Sequence, residues 1–431
     1  MSRIKARVLK GFRDYMPENM LPKQKMLNLV ANTFESFGFS PLQTPALEYA
    51  ECLLGKYGDE GDKLLYRFLD NGERDVAMRY DLTVPLARVM GMNTQLTRPF
   101  KRYQIAPVWR AEKPGRGRFR EFMQCDVDII GAPDLMADAE CILVGCSVLK
   151  NLGIDEFVIR INNRKLLTAM LSKYDIESPE DTLGVLRCID KLPKIGEENV
   201  RKLLMSEHSL PASSVDGIFE FLDLEPNQLH AWFSGHELGL LGADELNELL
   251  KLLEELGVSD YVDVDLSIAR GLDYYTGTIY ETFLKADESL GSVMSGGRYD
   301  TLLSMFSGQE IPAVGISLGV DRLLYGLIEM GLLEAQASPS DALIGVFSSD
   351  ERKLSYTVAE KLRLNGLNAE VYPGVARMKK QLQYANRQGI PFVILVGQSE
   401  FDRDEVILKN MKTGDQDHIK IDHLADHLQG G

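Results

Sequence analysis

Between Arg98 and Gly131 the chain reads RPFKRYQIAPVWRAEKPGRGRFREFMQCDVDIIG, two extended runs joined by a loop of Lys, Gly and Arg. Strict alternation in the first run sets Arg102, Gln104, Arg110 and Glu112 on one face and Tyr103, Ile105 and Trp109 on the other. The second run repeats the pattern. Phe122, Gln124, Asp126 and Asp128 share a face, opposite Phe119, Met123, Cys125, Val127 and Ile129. A hairpin of the two runs therefore lays guanidinium, aromatic ring, amide and carboxylates side by side. Arginine's planar fork grips phosphate oxygens bidentately and keeps its charge at every physiological pH, so the segment suits a polyphosphate ligand. The alternative is an amphipathic hairpin whose charged face meets solvent.

Three further segments resemble, together with this one, the class II aminoacyl-tRNA synthetases. Arg110, Glu112, the loop Lys113 to Arg118 and the returning Phe122 resemble motif 2. The stretch DLSIARGLDYYTGTIYE holds RGLDYY from Arg270 to Tyr275 and resembles the signature of histidyl-tRNA synthetases. PAVGISLGVDRLL resembles motif 3, a strand leading through Gly319 into a helix with Arg322 in its first turn, where cation and helix N-terminus both favour an anion. FGFSPLQTPALE, Phe37 to Glu48, resembles motif 1, which carries the dimer contact in class II enzymes.

The resemblance implies roles. Arg110 and Arg270 would hold the ATP α-phosphate and act as the catalytic cations, Glu112 would meet the adenine amino group, and Phe122 would stack under the ring. Arg118 and Arg322 complete the implied ATP set, with Arg322 at the γ-phosphate. For histidine, Asp81, Leu82 and Thr83 of MRYDLTVPLAR and Gln124 would surround the α-amino group, and Asp128, Tyr274 and Tyr275 the imidazole end. Imidazole presents two ring nitrogens, so a pocket that partners both can reject isosteres by about 10⁴ to 10⁵. SGGRYD, Ser295 to Asp300, resembles the glycine pair that lets backbone pass close to substrate; an ordinary glycine turn is the alternative. KGFRDYMP, Lys10 to Pro17, resembles the family's N-terminal segment, with Phe12 where Thr is usual. Asp81 and Asp128 stand where many bacterial members have Glu, and in this they resemble the eukaryotic and archaeal type.

The implied activity is histidine–tRNA ligase. L-Histidine and ATP give histidyl-adenylate and pyrophosphate, and histidine then passes to the 3' end of tRNA(His). Mg²⁺ is expected on the polyphosphate on charge grounds. The alternative is a catalytically silent histidine-sensing or regulatory paralogue, but such paralogues lose pocket residues and usually the C-terminal domain. All six histidines fall between His208 and His427, outside the matched segments, so neither a histidine base nor a His-ligated metal is expected in the site.

Composition fits a large, cytoplasmic protein. With 431 residues and 45% hydrophobic content the chain can bury more than one core. It has no apolar run long enough to span a bilayer, and its charged N-terminus lacks a following apolar region. Five cysteines without a C-x-x-C pair argue for reduced core residues rather than disulfides or structural zinc. A net charge of −16 looks adverse for a tRNA partner, yet contact affinity depends on local cations. From Arg98 to Arg120 the cations are Arg98, Lys101, Arg102, Arg110, Lys113, Arg116, Arg118 and Arg120, against Glu112 alone.

The elements that must position these residues are expected to form an α+β fold, an antiparallel sheet flanked by helices. A catalytic domain over residues 1–332 is interrupted at 167–260 by a helical insertion, where KLLTAMLSKYDI, EENVRKLLMSEH and ADELNELLKLLEELGV space apolar residues by three and four. A linker, 333–340, leads to alternating strands and helices over 341–431. That region resembles the anticodon-binding domain of several class II enzymes, and a homodimer is expected from motif 1.

Overall fold

A computed structural model describes residues 4–55, 61–269, 274–333 and 337–429. The chain divides into two compact units, Met1–Arg13 with Met26–Leu332, and Asp14–Lys25 with Leu333–Gly431.

The strands of the first unit are β1 (Ser40–Pro41), β2 (Leu47–Tyr49), β3 (Arg67–Leu69), β4 (Asp75–Met78), β5 (Phe100–Trp109), β6 (Glu121–Ile130), β7 (Phe157–Asn163), β8 (Val262–Val264), β9 (Thr278–Leu284), β10 (Met294–Arg298) and β11 (Ala313–Gly319). Eight of them form one sheet in the order β1-β5-β6-β11-β10-β9-β7-β8. Its interior pairs are antiparallel, and only the outer pairs β1 with β5 and β7 with β8 run parallel. The hairpin expected from the Arg98–Gly131 alternation is the β5–β6 pair. Its register sets Arg102 opposite Asp128, Gln104 opposite Asp126, Ala106 opposite Gln124 and Val108 opposite Phe122.

The apolar face of this sheet lies against the helix Met136–Asn151, which buries Cys141, Ile142, Val144 and Cys146 and packs on β11. On the other face, the helix Thr83–Met92 joins Tyr80, Tyr274, Tyr299 and Leu303 in a second core. A separate three-stranded sheet runs in the order β2-β4-β3. SGGRYD begins within β10 rather than in a turn, so its glycines serve a strand.

Between β7 and β8 the chain is helical, from Arg164–Ser172 to Glu237–Glu255. Asn163 caps the first of these helices, accepting from the Lys165 amide at 2.9 Å, which ends the strand and starts the helix within one residue. In the last, Leu246, Leu249 and Leu253 are buried at the spacing read from the sequence.

The second unit holds β12 (Ala342–Ile344), β13 (Ala369–Val371), β14 (Phe392–Leu395), β15 (Glu405–Asn410) and β16 (Gln416–Lys420) in the order β13-β12-β14-β15-β16. The β12 strand is parallel to both neighbours, with the helices Arg352–Leu364 and Met378–Gln388 in the crossovers. Buried Gln381 closes one crossover, accepting from the Val346 amide at 2.9 Å and donating to the Val346 and Ala376 carbonyls at 2.8 and 2.7 Å. All five cysteines are free thiols, four of them buried. Among the described residues no helix is long and apolar enough to cross a membrane.

Candidate active site

A cavity of about 380 Å³ opens on the polar face of the large sheet. Its floor is the β6 row Phe122, Gln124, Asp126, with Ser317 and Gly319 of β11 beside them. At about 3.3 Å per residue, the row from Phe122 to Asp128 extends roughly 20 Å, enough to separate two kinds of chemistry.

One end is cationic and aromatic. Gly319 lies opposite Gln124, so the helix Val320–Glu329 starts at the Phe122 end and delivers Arg322 into the cavity from its first turn. Arg322 Nη1 donates to the Ser292 carbonyl, which fixes the side chain. Arg110 donates from Nε to the Tyr80 carbonyl at 3.0 Å, and its guanidinium lies 4.3 Å from the Tyr80 ring centre and 5.2 Å from that of Phe122. Packed over apolar rings, that cation is partly desolvated and bonds an anion more strongly than it would in water. Glu112, Arg118 and Phe119 line the same end.

The loop between β5 and β6 closes on itself through reciprocal backbone bonds between Gly115 and Arg118 of 3.2 and 3.0 Å, with Gly117 at φ +63° in the turn. Arg116 pins it, donating to Asp287 at 3.0 Å, to Ser289 Oγ at 3.2 Å and to Glu329. Arg118 makes no side-chain hydrogen bond among the described residues.

The other end is acidic and tyrosine-rich. Asp81, Thr83, Gln124, Asp126, Tyr274 and Tyr275 line it, with Tyr280 and Glu281. Asp81 is held at the start of the helix Thr83–Met92, where Oδ1 accepts from the Val84 amide at 3.0 Å. Gln124 donates to Ser317 Oγ at 2.7 Å, and its Oε1 has no hydrogen-bond partner among the described residues. Burial first, then the nearby Asp128 and Asp126 carboxylates, push the Tyr275 hydroxyl up, so it stays protonated at neutral pH and can donate. Burial likewise drives the Asp126 carboxyl up, to about 7; Arg102 pulls it back, and Asp128 and Asp81 add to the rise.

Ten of the residues singled out from the sequence thus meet in one cavity: Asp81, Thr83, Arg110, Glu112, Arg118, Phe122, Gln124, Tyr274, Tyr275 and Arg322. Arg270 lies outside the described residues. Leu82 and Asp128 do not line the cavity. Leu82 is fully buried with Ala106 and Val108, and its carbonyl accepts from Arg102 at 3.3 Å. Asp128 lies 2.5 Å from Arg102 and accepts from the Tyr299 hydroxyl. The Arg102 pair is close without hydrogen-bond alignment, since Asp128 Oδ2 and Arg102 Nε and Nη1 find no hydrogen-bond partner among the described residues. Burial raises the Asp128 carboxyl, offset by Arg102 and Tyr299. Arg102, expected on a ligand-facing surface, is instead completely buried, a counter-charge beneath the site.

Sequence reading passed over several supports. Asp321 joins three segments, accepting from the Met123 amide at 2.6 Å and from Arg13 at 3.0 Å, and so ties the motif 3 helix to β6 and to KGFRDYMP. Arg298 of SGGRYD pairs with fully buried Asp138 and reaches the Ala132 and Asp134 carbonyls at 3.2 Å. Only the spacing of opposite charges across more than a hundred residues could have signalled these.

Comparisons with known proteins agree with this geometry. A family model described as histidyl-tRNA synthetase matches residues 11–323, and one described as anticodon binding domain matches 342–430. The chain is 44% identical to a histidine–tRNA ligase of Wolinella succinogenes, with 99% of each covered. It is 41% identical to one of Rhodopirellula baltica, with 97% of this chain and 96% of the relative covered. The solved histidyl-tRNA synthetase of Nostoc sp. PCC 7120 superposes with a TM-score of 0.89 at 32% identity, covering 99% of this chain and all of that one. The family model spans most of the chain and the relatives nearly all of it: the chain belongs to the histidyl-tRNA synthetase family, with the α+β fold of the class II enzymes.

Proposed function

We propose that this protein is a histidine–tRNA ligase that joins L-histidine to ATP and then passes histidine to the 3' end of tRNA(His). The observation that supports it most is the cavity with two opposed ends. Arg110, Arg118 and Arg322 with Phe122 suit a nucleotide polyphosphate and its base, while Asp81, Gln124 and the tyrosines suit an amino acid bearing a cation.

In this reading Arg110 and Arg270 hold the α-phosphate, Arg322 the γ-phosphate, Phe122 stacks on adenine and Glu112 meets its amino group. Asp81, Thr83 and Gln124 hold the α-ammonium, leaving the substrate carboxylate beside the α-phosphate for in-line attack. Tyr275 meets the imidazole. Fixed guanidinium groups stabilise charge that grows on the phosphorus oxygens, which is worth most in a water-poor site. Glu281 offers the hard oxygen donors Mg²⁺ takes, and Mg²⁺ arriving with ATP would offset phosphate charge. The second step needs no protein base if the adenylate phosphate accepts the proton of the attacking ribose hydroxyl.

The helices between β7 and β8 are placed by the same reading over the tRNA acceptor arm, and 341–431 at the anticodon. Leu47, Tyr49 and Phe68 share a face of the three-stranded sheet by register and are 44%, 53% and 46% exposed, which supports a homodimer formed beside motif 1. ATP–pyrophosphate exchange with each of the twenty amino acids tests the assignment. Exchange with histidine alone is expected, falling about 10²-fold or more in Arg110→Ala and Arg270→Ala. Histidine binding without exchange would instead mark a sensor.

A further inference from the structure

Alternate residues of β6 face the cavity, and the roles carried over by resemblance fall on Phe122, Gln124 and Asp128. Asp126, between the last two, received none. The structure reverses the order of the two acids. Asp126 lines the cavity, whereas Asp128 sits one residue pair deeper, against Arg102 and Tyr299.

Asp126 is 2% exposed, and its Oδ1 has no hydrogen-bond partner among the described residues. Its cross-strand neighbours leave that oxygen bare. Gln104 on β5 donates to Thr44 Oγ1 at 3.0 Å, and Ser317 on β11, which accepts from Gln124, hydrogen-bonds the Asp126 carboxylate without reaching Oδ1. Arg102, the cation that pulls on it, is matched 2.5 Å away by Asp128. A buried acceptor without a donor is rare in folded proteins because its lost hydration is not repaid, and at a cavity wall a bound ligand can supply the missing donor. Gln124 Oε1, two residues along the same face, also has no donor. This stretch of wall is therefore short of N–H groups, and histidine supplies them from its ammonium and its ring.

We propose that Asp126 is a further specificity residue for the amino acid substrate, its carboxylate accepting a hydrogen bond from a ring N–H of bound histidine. The proposal rests on the synthetase reading above. Neutral imidazole has one N–H to donate and one bare nitrogen to accept. Asp126 supplies the acceptor and the Tyr275 hydroxyl the donor, so the pair matches both nitrogens. Asp128 then acts from beneath, with Arg102 and Tyr299, as a positioning group.

The test is histidine-dependent ATP–pyrophosphate exchange with wild type, Asp126→Asn and Asp126→Ser, the smaller variant serving if the first does not fold. Loss of the charge-assisted bond is expected to raise the histidine KM about ten- to a hundredfold while the ATP KM moves less than twofold. Inhibition by imidazole-4-propionate, which lacks the amine, and by histidinol, which keeps it, should weaken to the same degree. An unchanged histidine KM overturns the proposal. Weakened histidinol with unchanged imidazolepropionate binding assigns Asp126 to the ammonium and overturns it too. Parallel rises in both substrates' KM values mean a structural role and do the same. If wild type itself shows no exchange with histidine, the failure belongs to the synthetase reading instead.

Discussion

At Asp126 the requirements of binding and of stability oppose each other. Burial holds its carboxyl at about 7 in the folded chain, against an ordinary value of 3.8. Between those values the folded protein keeps a proton that the unfolded chain has released, so this group's contribution to stability falls as pH rises from about 4 to 7. Above 7 the charge is buried, faced by Gln104 and Arg102 from β5, Gln124 and Asp128 on its own strand, Ser317 from β11, and Asp81. Asp126→Asn removes that cost while keeping the shape. The variant is expected to be more stable than wild type at pH 8 by about 1–3 kcal/mol, with the gain shrinking towards pH 5. Urea unfolding at the two pH values measures the difference. A variant less stable than wild type at pH 8 would show that the ionised carboxylate is well solvated or paired in the apo protein. Asp128 illustrates the other solution, a buried acid given its own cation and hydroxyl within the fold.

The sheet strands set how closely these side chains can crowd, and the tightest place is opposite Asp128. A Cβ on Gly315 would stand 2.1 Å from Asp128 Oδ1 and 2.6 Å from the Val127 carbonyl oxygen, while the Gly315 carbonyl accepts from Tyr280 at 2.7 Å. Gly315→Ala must therefore push β11 away from β6 or turn Asp128 off Arg102. A loss of about 1–3 kcal/mol in urea unfolding is expected, together with a raised histidine KM. Unaltered values for both would mean that the two strands part freely here. This constraint was invisible in PAVGISLGVDRLL, where Gly315 is only one more small residue of a strand. What was legible was local. Period-two alternation gave the β5–β6 hairpin and the side shared by Phe122, Gln124, Asp126 and Asp128, and three-and-four spacing gave the helices after β7. Alternation assigns a face but not a depth. Arg102 and Gln104 share the polar face with Asp126, yet all three are covered, because Leu82 at the start of the helix Thr83–Met92 accepts from Arg102 and β11 pairs with β6 across about two hundred residues. Strand order of that kind depends on long-range pairing that a local pattern does not encode. For the same reason Arg116 read as one cation of a basic loop, although it is tied to Asp287 and Glu329.

For the whole molecule the question is how a chain of net charge −16 holds a polyanion. Its cations are partly consumed internally: Arg102, Arg116 and Arg298 all face carboxylates within the fold. Among the described residues, cations left without an ion pair include Arg118 in the β5–β6 loop and, in the second unit, Lys379, Lys380 and Arg387 on the helix Met378–Gln388, all exposed. A long-range field of the wrong sign slows encounter, and short-range contacts must then supply the affinity. Each phosphate contact releases counterions, so the number of contacts is readable from salt dependence. The triple substitution of Lys379, Lys380 and Arg387 by Ala is expected to weaken tRNA binding and to flatten the slope of log K against log salt by about two to three, at 0.7–0.9 per lost contact. ATP–pyrophosphate exchange, which involves no tRNA, should be unaltered. The measurement is a salt titration of tRNA binding for the two proteins. An unchanged slope would make that helix face merely solvated and would leave phosphate contact to the first unit, where Arg118→Ala should then lower the slope by about one.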